Sequence, residues 1–435
     1  MRIFGSGFIV LGLALAGTAG AQEVVAISGA TVHTVGPAGS IENATVLIED
    51  GRIAAVGANV TVPAGARVID ASGRIVTPGL FTPFGQIGLV EVNAVEGSVD
   101  YIQRGDRYSA SFDVADAYNP RSTLVATNRI EGITHALIAP EASWPDDRGN
   151  ESRVLSGLAS VVQLSDVDWL VRQAIAMVAN LVENGGGLAG GSRAAALMTL
   201  RTALEDARDY GRNREAYNQR NRRDYSLSQS DLEALQRVLE GEIPLLVRVQ
   251  RATDIRTVIQ LAGEYDIRAI VMGAAEAWLL ADELAAAEIP VILDSMANLP
   301  QDFDRLNARL DSASLLSAAG VRVVLGGAGA NQNHNARNIT QAAGIAVANG
   351  LDWQAALRAV TLTPAELYGV ADVLGSIEQG KRADLVIWDS DPLELTSYPA
   401  QVLIGGTEVP MESRQTLLRD RYLDLTATPP AFRRR

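Results

Sequence analysis

The chain has 435 residues, more than one hydrophobic core usually holds, and its 47% hydrophobic and 20% charged residues argue against intrinsic disorder. Its formal net charge of −14 would repel a polyanion over most of the surface, so the composition argues against a nucleic-acid-binding protein. The absence of cysteine from the sequence excludes disulfides, thiol catalysis and thiolate metal sites.

The first residues have the pattern of a secretory signal peptide. Arg2 precedes an apolar run from Phe8 to Ala16, and the small-residue pattern Ala19-Gly20-Ala21 follows. We therefore expect residues 1–21 to be cleaved and the protein to be periplasmic. The apolar run is too short for a bilayer, and nothing later reaches the roughly 20 apolar residues of a membrane helix. No membrane span is expected after cleavage.

Residues 22–78 read as a small β module. The segments "VVAISGATVHTV", "ATVLIEDGRIAAVG" and "ARVIDASGRIVTPG" are short β-rich runs separated by Gly and Asp-Gly turns. They predict a meander of hairpins. After Gly369 the chain returns to β-type runs, "ADLVIWD" and "AQVLIGGTEV". We expect residues 370–435 to supply the second part of this module and a C-terminal tail.

Residues 79–369 alternate strand-like and helical apolar runs. Strands are predicted at "ITHALIAP", "PLLVRVQ", "IRAIVMG", "IPVILD" and "VRVVLGG", and helices at "VDWLVRQAIAMVANLVE", "DIRTVIQLAGEY", "AWLLADELAAAE", "SASLLSAAG" and "AAGIAVANG". Alternating βα units predict a parallel sheet, and this number of units favours a (β/α)₈ barrel. The predicted fold class is therefore α/β.

An insertion, residues 184–230, interrupts this alternation. Its Gly-rich start, "NGGGLAGGS", predicts a flexible hinge, because no GK[ST] follows that would indicate a phosphate-binding loop. The charged segment "RNREAYNQRNRRDYSLSQSD" predicts a solvated helix extension that ends at a new helix start, Ser230-Asp231. The sequence assigns this insertion no role.

Three motifs together resemble one family. They are "EDGRIAAVG" with "VIDASGR", then "VTPGL", and finally "ALRAVTLTPAELYGVADVLGSIEQGKRADLVIWDSDPL". These motifs resemble the amidohydrolase superfamily, in particular its imidazolonepropionase-like members. The resemblance implies a TIM barrel flanked by a β-sandwich built from both chain ends. It also implies one or two divalent metals, zinc or another, that activate water against C–N or related bonds.

In the family, the first barrel strand ends in an H-x-H pair that binds metal. Here these positions are Phe84 and Gln86 in "PGLFTPFGQIG". A phenyl ring offers no lone pair, and a neutral amide is a poor zinc ligand. The resemblance therefore predicts the first barrel strand without its metal-binding side chains.

The remaining ligand positions implied by the family are also substituted. The lysine or histidine position is Arg248, with Gln250 as its companion, and an always-protonated guanidinium would repel a cation. The later histidine maps to Gly273, and the aspartate of the last strand maps to Ala328. We therefore expect no bound metal or other cofactor.

The sequence contains His33, His135 and His334 as its three histidines. We expect His33 to be a structural residue of the β module and His135 a structural residue at the start of a barrel strand, opposite the end where barrel active sites form. His334 follows the last strand and should border the cleft. The interpretation that we favour for His334 is ligand contact or loop capping, and a catalytic role is the alternative.

Some carboxylates also fall near the predicted cleft. Glu91 and Glu96 follow the first barrel strand, and Glu276 follows Gly273. With Gln86 they could form a site for Mg²⁺ or Ca²⁺, but their spacing does not require convergence, and solvated or helix-capping carboxylates are the favoured interpretation.

Two functions follow from these observations. The first is a non-catalytic periplasmic binding protein or partner subunit, as a homodimer or paired with an intact amidohydrolase paralogue. Its candidate pocket contacts are Gln250, Glu276 and His334, and Arg248 would attract a carboxylate or another small anion. The alternative is an active hydrolase of C–N bonds in cyclic amides or acyl-amino acids, through an unrecognised site.

Overall fold

The computed structural model describes residues 24–103, 108–142, 154–182, 189, 191–297, 299–327 and 332–423. No helix within these ranges is long and apolar enough to span a membrane. The predicted signal peptide, most of the Gly-rich hinge and Ala328 lie outside the described residues. The described residues form two eight-stranded sheets.

The first sheet joins the two ends of the described chain, which confirms the prediction of a split β module. Its centre is an antiparallel pair in which Leu385 lies opposite Pro78 and Ile387 opposite Val76. The predicted meander is only partly right, because the fourth and fifth strands run parallel to the first instead of forming hairpins. The strands of this sheet are β1 (Val24–His33), β2 (Ser40–Glu49), β3 (Arg52–Gly57), β4 (Arg67–Asp70), β5 (Ile75–Pro78), β14 (Leu385–Trp388), β15 (Pro399–Ile404) and β16 (Thr407–Glu408).

The second sheet is the barrel, nearly closed, and its strands follow one another in chain order. Neighbouring strands run parallel except around β8, which is antiparallel to both β7 and β9. The α/β barrel prediction is confirmed, with a hairpin in place of one βα unit. The strands are β6 (Leu80–Gly85), β7 (Ile133–Ile138), β8 (Leu155–Gln163), β9 (Leu170–Asn180), β10 (Leu245–Val249), β11 (Ala269–Gly273), β12 (Val291–Leu293) and β13 (Val323–Leu325).

This hairpin corrects the helix predicted for residues 167–183, which the structure shows as strand β9. The segment is rich in helix formers such as Ala, Met and Gln, and its inner half is buried without a period. A continuous apolar run does not distinguish a buried strand from a buried helix. Pairing with β8 on one side and β10 on the other satisfies the backbone, and this tertiary context overrides the local propensity.

The barrel interior is a packed apolar core. Successive strands send alternate side chains inward, as the two-residue period of a strand requires. The interior residues include Phe81, Phe84, Leu137, Val161, Ile175, Val178, Leu246, Ile270, Met272, Ile292 and Val324. The ring of Phe81 approaches that of Tyr368, whose hydroxyl donates to the Pro83 carbonyl at 2.7 Å.

The helices surround this sheet. The helix Gln229–Leu239 is capped by Ser228, whose hydroxyl accepts a hydrogen bond from the Asp231 N–H. Ser228 lies two residues before the helix start predicted from the sequence. Buried Asp231 also accepts from the N–H groups of Ser109 and Ser111. The helices are α1 (Thr123–Arg129), α2 (Arg193–Arg212), α3 (Arg214–Asn218), α4 (Gln229–Leu239), α5 (Ala252–Tyr265), α6 (Ala281–Ala286), α7 (Ser312–Ala318), α8 (Ile339–Ala348), α9 (Trp353–Ala359), α10 (Leu362–Leu367) and α11 (Arg414–Leu423), with short 3₁₀ turns at Glu96–Ser98, Val114–Ala117, Ala277–Leu280, Ser295–Ala297 and Asn335–Asn338.

The charged segment between α2 and α4 folds back on α2 and is more than a solvated extension. The rings of Tyr217 and Tyr225 stack at 5.3 Å, and Tyr217 meets Tyr210 edge-on at 5.2 Å. The guanidinium of Arg223 pairs with buried Asp206. Aromatic packing therefore holds this segment against α2, although its many charges predicted a solvent-exposed extension.

Candidate functional site

The barrel mouth is the face at the carboxyl ends of the parallel strands, where active sites of this architecture form. Some of the polar side chains at its rim are uncharged and buried. The Asn180 amide at the end of β9 donates to the Ser156 hydroxyl at 2.7 Å, and both residues are buried. The mouth therefore has buried polar groups directly above the apolar core of the barrel.

Phe84 and Gln86 lie at and just beyond the end of β6, and both are buried. The Phe84 ring belongs to the barrel interior. Above it, the Arg248 guanidinium carbon lies 5.6 Å from the ring centroid, within cation–π range. The end of the first barrel strand is thus filled by an aromatic ring with a cation beside it.

Arg248 does not project into the mouth as an isolated positive charge, which corrects the expectation from the sequence. One of its Nη atoms lies 2.6 Å from the Glu141 carboxylate, and the two side chains are only 12% and 18% exposed. Glu141 follows β7, so both residues come from carboxyl ends of barrel strands. An incoming anion would have to compete with this internal carboxylate.

Gly273 ends β11 in a conformation that glycine permits and other residues rarely adopt, with φ of +85°. A Cβ atom built there would lie 2.5 Å from the Gln250 Nε2 atom. The Gln250 side chain is held in that place, since its Oε1 accepts the Ala275 N–H at 3.1 Å. The Gln250 side chain therefore fills the space that a side chain at position 273 would need.

Glu276 connects two backbone segments instead of facing open space. One carboxylate oxygen accepts the Ala252 N–H at 2.9 Å, at the start of α5. The other accepts the side-chain amide of Asn307 at 2.8 Å and its backbone N–H. A carboxylate at a helix start is a structural arrangement, so the structure gives Glu276 a bracing role.

His334 lies in a polar loop beside the end of β6. Its ring Nδ1 and its backbone N–H both lie within 3 Å of the Asn333 Oδ1 atom. Asn333 in turn donates to Asn93 and accepts from Asn128, at 2.7 Å each. This network holds the loop, as expected for a capping role, and the predicted ligand contact stays a prediction.

The other two histidines lie in different elements of the fold from His334. His33 sits in β1, 2.7 Å from the Ser40 hydroxyl and with its ring 4.6 Å from that of Trp353. His135 is buried in β7, and its Nε2 lies 3.6 Å from a carboxylate oxygen of Asp384, just before β14. The structure therefore does not bring the three histidines together.

Burial of His135 should make stability depend on pH. Desolvation lowers the pKa of His135 to about 4, although the nearby Asp384 charge opposes this shift. The unfolded chain, with a pKa near 6.5, then binds more protons between these values, so stability falls as the pH falls through this window. We expect a loss of about 2 kcal/mol between pH 7 and pH 5 in urea unfolding. A His135→Gln variant with the same pH dependence would contradict this assignment.

The carboxylates predicted near the mouth do not converge on one point in the described part of the chain. Glu91 accepts from the Asn119 amide at 3.1 Å and from Thr123 at the start of α1, and Glu96 lies in an exposed 3₁₀ turn. Within the described part of the chain, no three His, Cys, Asp or Glu side chains lie close enough to hold a metal ion.

Sequence reasoning missed two acidic residues at strand ends. They are Glu141, after β7, and half-buried Asp294, after β12, whose carboxylate accepts the Met296 N–H at 3.0 Å. Both follow the apolar runs "ITHALIAP" and "IPVIL" directly. Listing the polar residues that follow each predicted strand would have found them.

Comparisons with known proteins agree with this architecture. A model of the amidohydrolase family matches residues 213–413. An amidohydrolase from Thermotoga maritima MSB8 superposes with a TM-score of 0.77 at 23% identity, over 89% of this chain and 99% of that one. Residues 213–413 are therefore similar to the amidohydrolase family, and the superposition shows a shared fold.

Curated relatives are also similar to this chain, over very different lengths. The amidohydrolase tasK of Hapsidospora irregularis is 24% identical over 389 residues, 83% of this chain. The alignment spans only 39% of that relative's length. The urease subunit alpha of Streptococcus salivarius (strain 57.I) is 50% identical over 46 residues, 11% of this chain and 8% of the subunit. The chain therefore spans well under half the length of these curated relatives.

Proposed function

We propose that this amidohydrolase-family protein is a ligand-binding protein or partner subunit that does not carry out metal-dependent hydrolysis. The observation that supports this most is the Glu141–Arg248 ion pair lying over the Phe84 ring. It places a guanidinium beside the position where the resemblance expects a metal, and a guanidinium repels a cation.

The donor groups that the structure describes at the mouth do not fit a divalent metal. Gln250 is hydrogen-bonded to the Ala275 N–H, and Gly273 offers no side chain. The Glu141 carboxylate is engaged by Arg248. Zinc in proteins is held mainly by imidazole, thiolate and carboxylate groups, so these residues would not fix it in an open catalytic geometry. These residues therefore do not support a hydrolytic step through a metal.

The purified protein should contain no stoichiometric transition metal, and EDTA should leave its melting temperature unchanged. A metal that bound the native state alone would stabilise it, and its removal would lower that temperature. Elemental analysis and thermal unfolding with and without the chelator test this directly. Stoichiometric zinc, or a drop of several degrees, would be inconsistent with the proposal.

The same preparation should not hydrolyse cyclic amides or acylated amino acids when zinc is added. The Phe84→His/Gln86→His double variant should be equally inactive, because Arg248 and Gly273 still deny the metal its other ligands. Turnover by the native protein would favour the alternative, a C–N hydrolase with an unrecognised site. Turnover by the double variant alone would show that the other ligand positions were misassigned.

A further inference from the structure

A polar cavity of about 250 Å³ lies at the end of the barrel opposite the mouth. Its lining comes from three neighbouring strands near their starts, β9, β10 and β11, and from the chain after α10 at Tyr368 and Gly369. Because amino ends of parallel strands share one edge, these residues converge although they are distant in sequence. The proposed mouth site includes none of them.

Among the residues that the structure describes, three arginines line this cavity. Arg172 comes from β9, Arg237 from the last turn of α4, and Arg268 from the position before β11. Arg172 donates to the Gly369 carbonyl and Arg268 to the Glu242 carbonyl, both at 2.7 Å. A guanidinium has five N–H donors, so these single bonds leave Arg172 and Arg268 with donors to spare.

The carboxylate of Glu242 lines the same cavity and only partly balances this charge. Arg237 contacts one of its oxygens at 2.9 Å and 2.7 Å. Hydrogen bonding from Arg237, with the charges of Arg237 and Arg172, lowers the pKa of Glu242. With three guanidiniums and one carboxylate, the cavity has an excess of about two positive charges at pH 7.

We propose that this cavity binds a small dianion, a phosphate monoester or a dicarboxylate. Guanidinium forks match the paired oxygens of both groups. The volume corresponds to roughly eight water molecules at about 30 Å³ each, enough for a short carbon chain besides the charged group. Ile175, Ile243 and Pro244 supply apolar wall against which that chain can pack.

Titration calorimetry of the full chain at low ionic strength, with inorganic phosphate and with malonate as probes, tests the proposal. We expect saturable binding of at least one probe, and the stronger one identifies the anion class. Arg268→Gln and Arg172→Gln should each weaken it about tenfold, as the loss of one charge-assisted hydrogen bond predicts. Glu242→Gln should strengthen binding, because it removes the competing negative charge.

Arg256→Gln is the matched control, since Arg256 pairs with Glu283 at the surface and does not line the cavity. It should bind like the native protein. Two outcomes would overturn the proposal: no saturable binding of either probe, or native-like binding by both cavity variants. If one cavity variant fails to fold by circular dichroism, the other decides, because the two arginines lie on different strands or loops.

Discussion

Replacing Gly273 with alanine should lower the free energy of unfolding by about 3 kcal/mol. Forcing a residue with a Cβ atom into a left-handed conformation costs about 1–2 kcal/mol, and the native φ here is +85°. The new methyl group would also displace Gln250, which would lose its hydrogen bond to the Ala275 N–H, worth about 1 kcal/mol. Urea unfolding of the variant and the native protein measures the difference.

A matched glycine, Gly263, should give a change in the free energy of unfolding of the opposite sign. Gly263 lies inside α5, and nothing lies within 4 Å of a Cβ atom built there. Gly263→Ala should therefore stabilise the protein by about 0.5–1 kcal/mol, since alanine favours a helix over glycine. Gly273→Ala should also cost about 1 kcal/mol less in a Gln250→Ala background, where the contact is gone and the backbone strain is not. Equal costs in both backgrounds would show that Gln250 moves aside freely.

This result bears on the proposed function. A histidine at position 273 would meet the same backbone conformation and the same Gln250 side chain as alanine, with a larger ring to place. Both the backbone conformation at position 273 and the Gln250 side chain therefore oppose a metal-binding residue at this position. Restoring a metal site would require a different conformation of the end of β11 in addition to new side chains.

Much of the fold could be predicted from sequence because the apolar runs have clear ends. The runs "PLLVRVQ" and "IRAIVMG" became β10 and β11, and "DIRTVIQLAGEY" became most of α5. The β8–β9 hairpin could not, because its buried run has no period and contains helix-forming residues. Pairing between distant segments decides such cases.

The candidate site was predictable in position but not in contacts. The resemblance placed Phe84 and Arg248 at strand ends, where the structure has them. It could not show that Glu141 would reach Arg248, because β8, β9 and the helices α2 to α4 separate these two residues in sequence. Side-chain pairing across a barrel mouth leaves no local sequence pattern. Likewise the positive φ of Gly273 is a property of the folded backbone, and a glycine in the sequence permits it without requiring it.

Replacing Glu141 with leucine should lower the free energy of unfolding by about 3 kcal/mol. The substitution takes a carboxylate from a guanidinium that is only 12% exposed, and breaking a buried ion pair costs about 3–5 kcal/mol, less where some solvent reaches it. The matched control is Glu283→Leu, which breaks the Arg256–Glu283 pair at the surface, with side chains 47% and 45% exposed. That change should cost no more than about 1 kcal/mol.

The double variant Glu141→Leu/Arg248→Met separates the pair's net contribution from the penalty of a buried charge. An apolar pair of similar volume over the Phe84 ring should recover most of the stability lost in Glu141→Leu, because neither charge then needs solvation. Urea unfolding of the two single variants, the double variant and the native protein completes the cycle. If Glu141→Leu were as stable as the native protein, the ion pair would not hold the mouth together, and the observation on which the proposed function most depends would lose its weight.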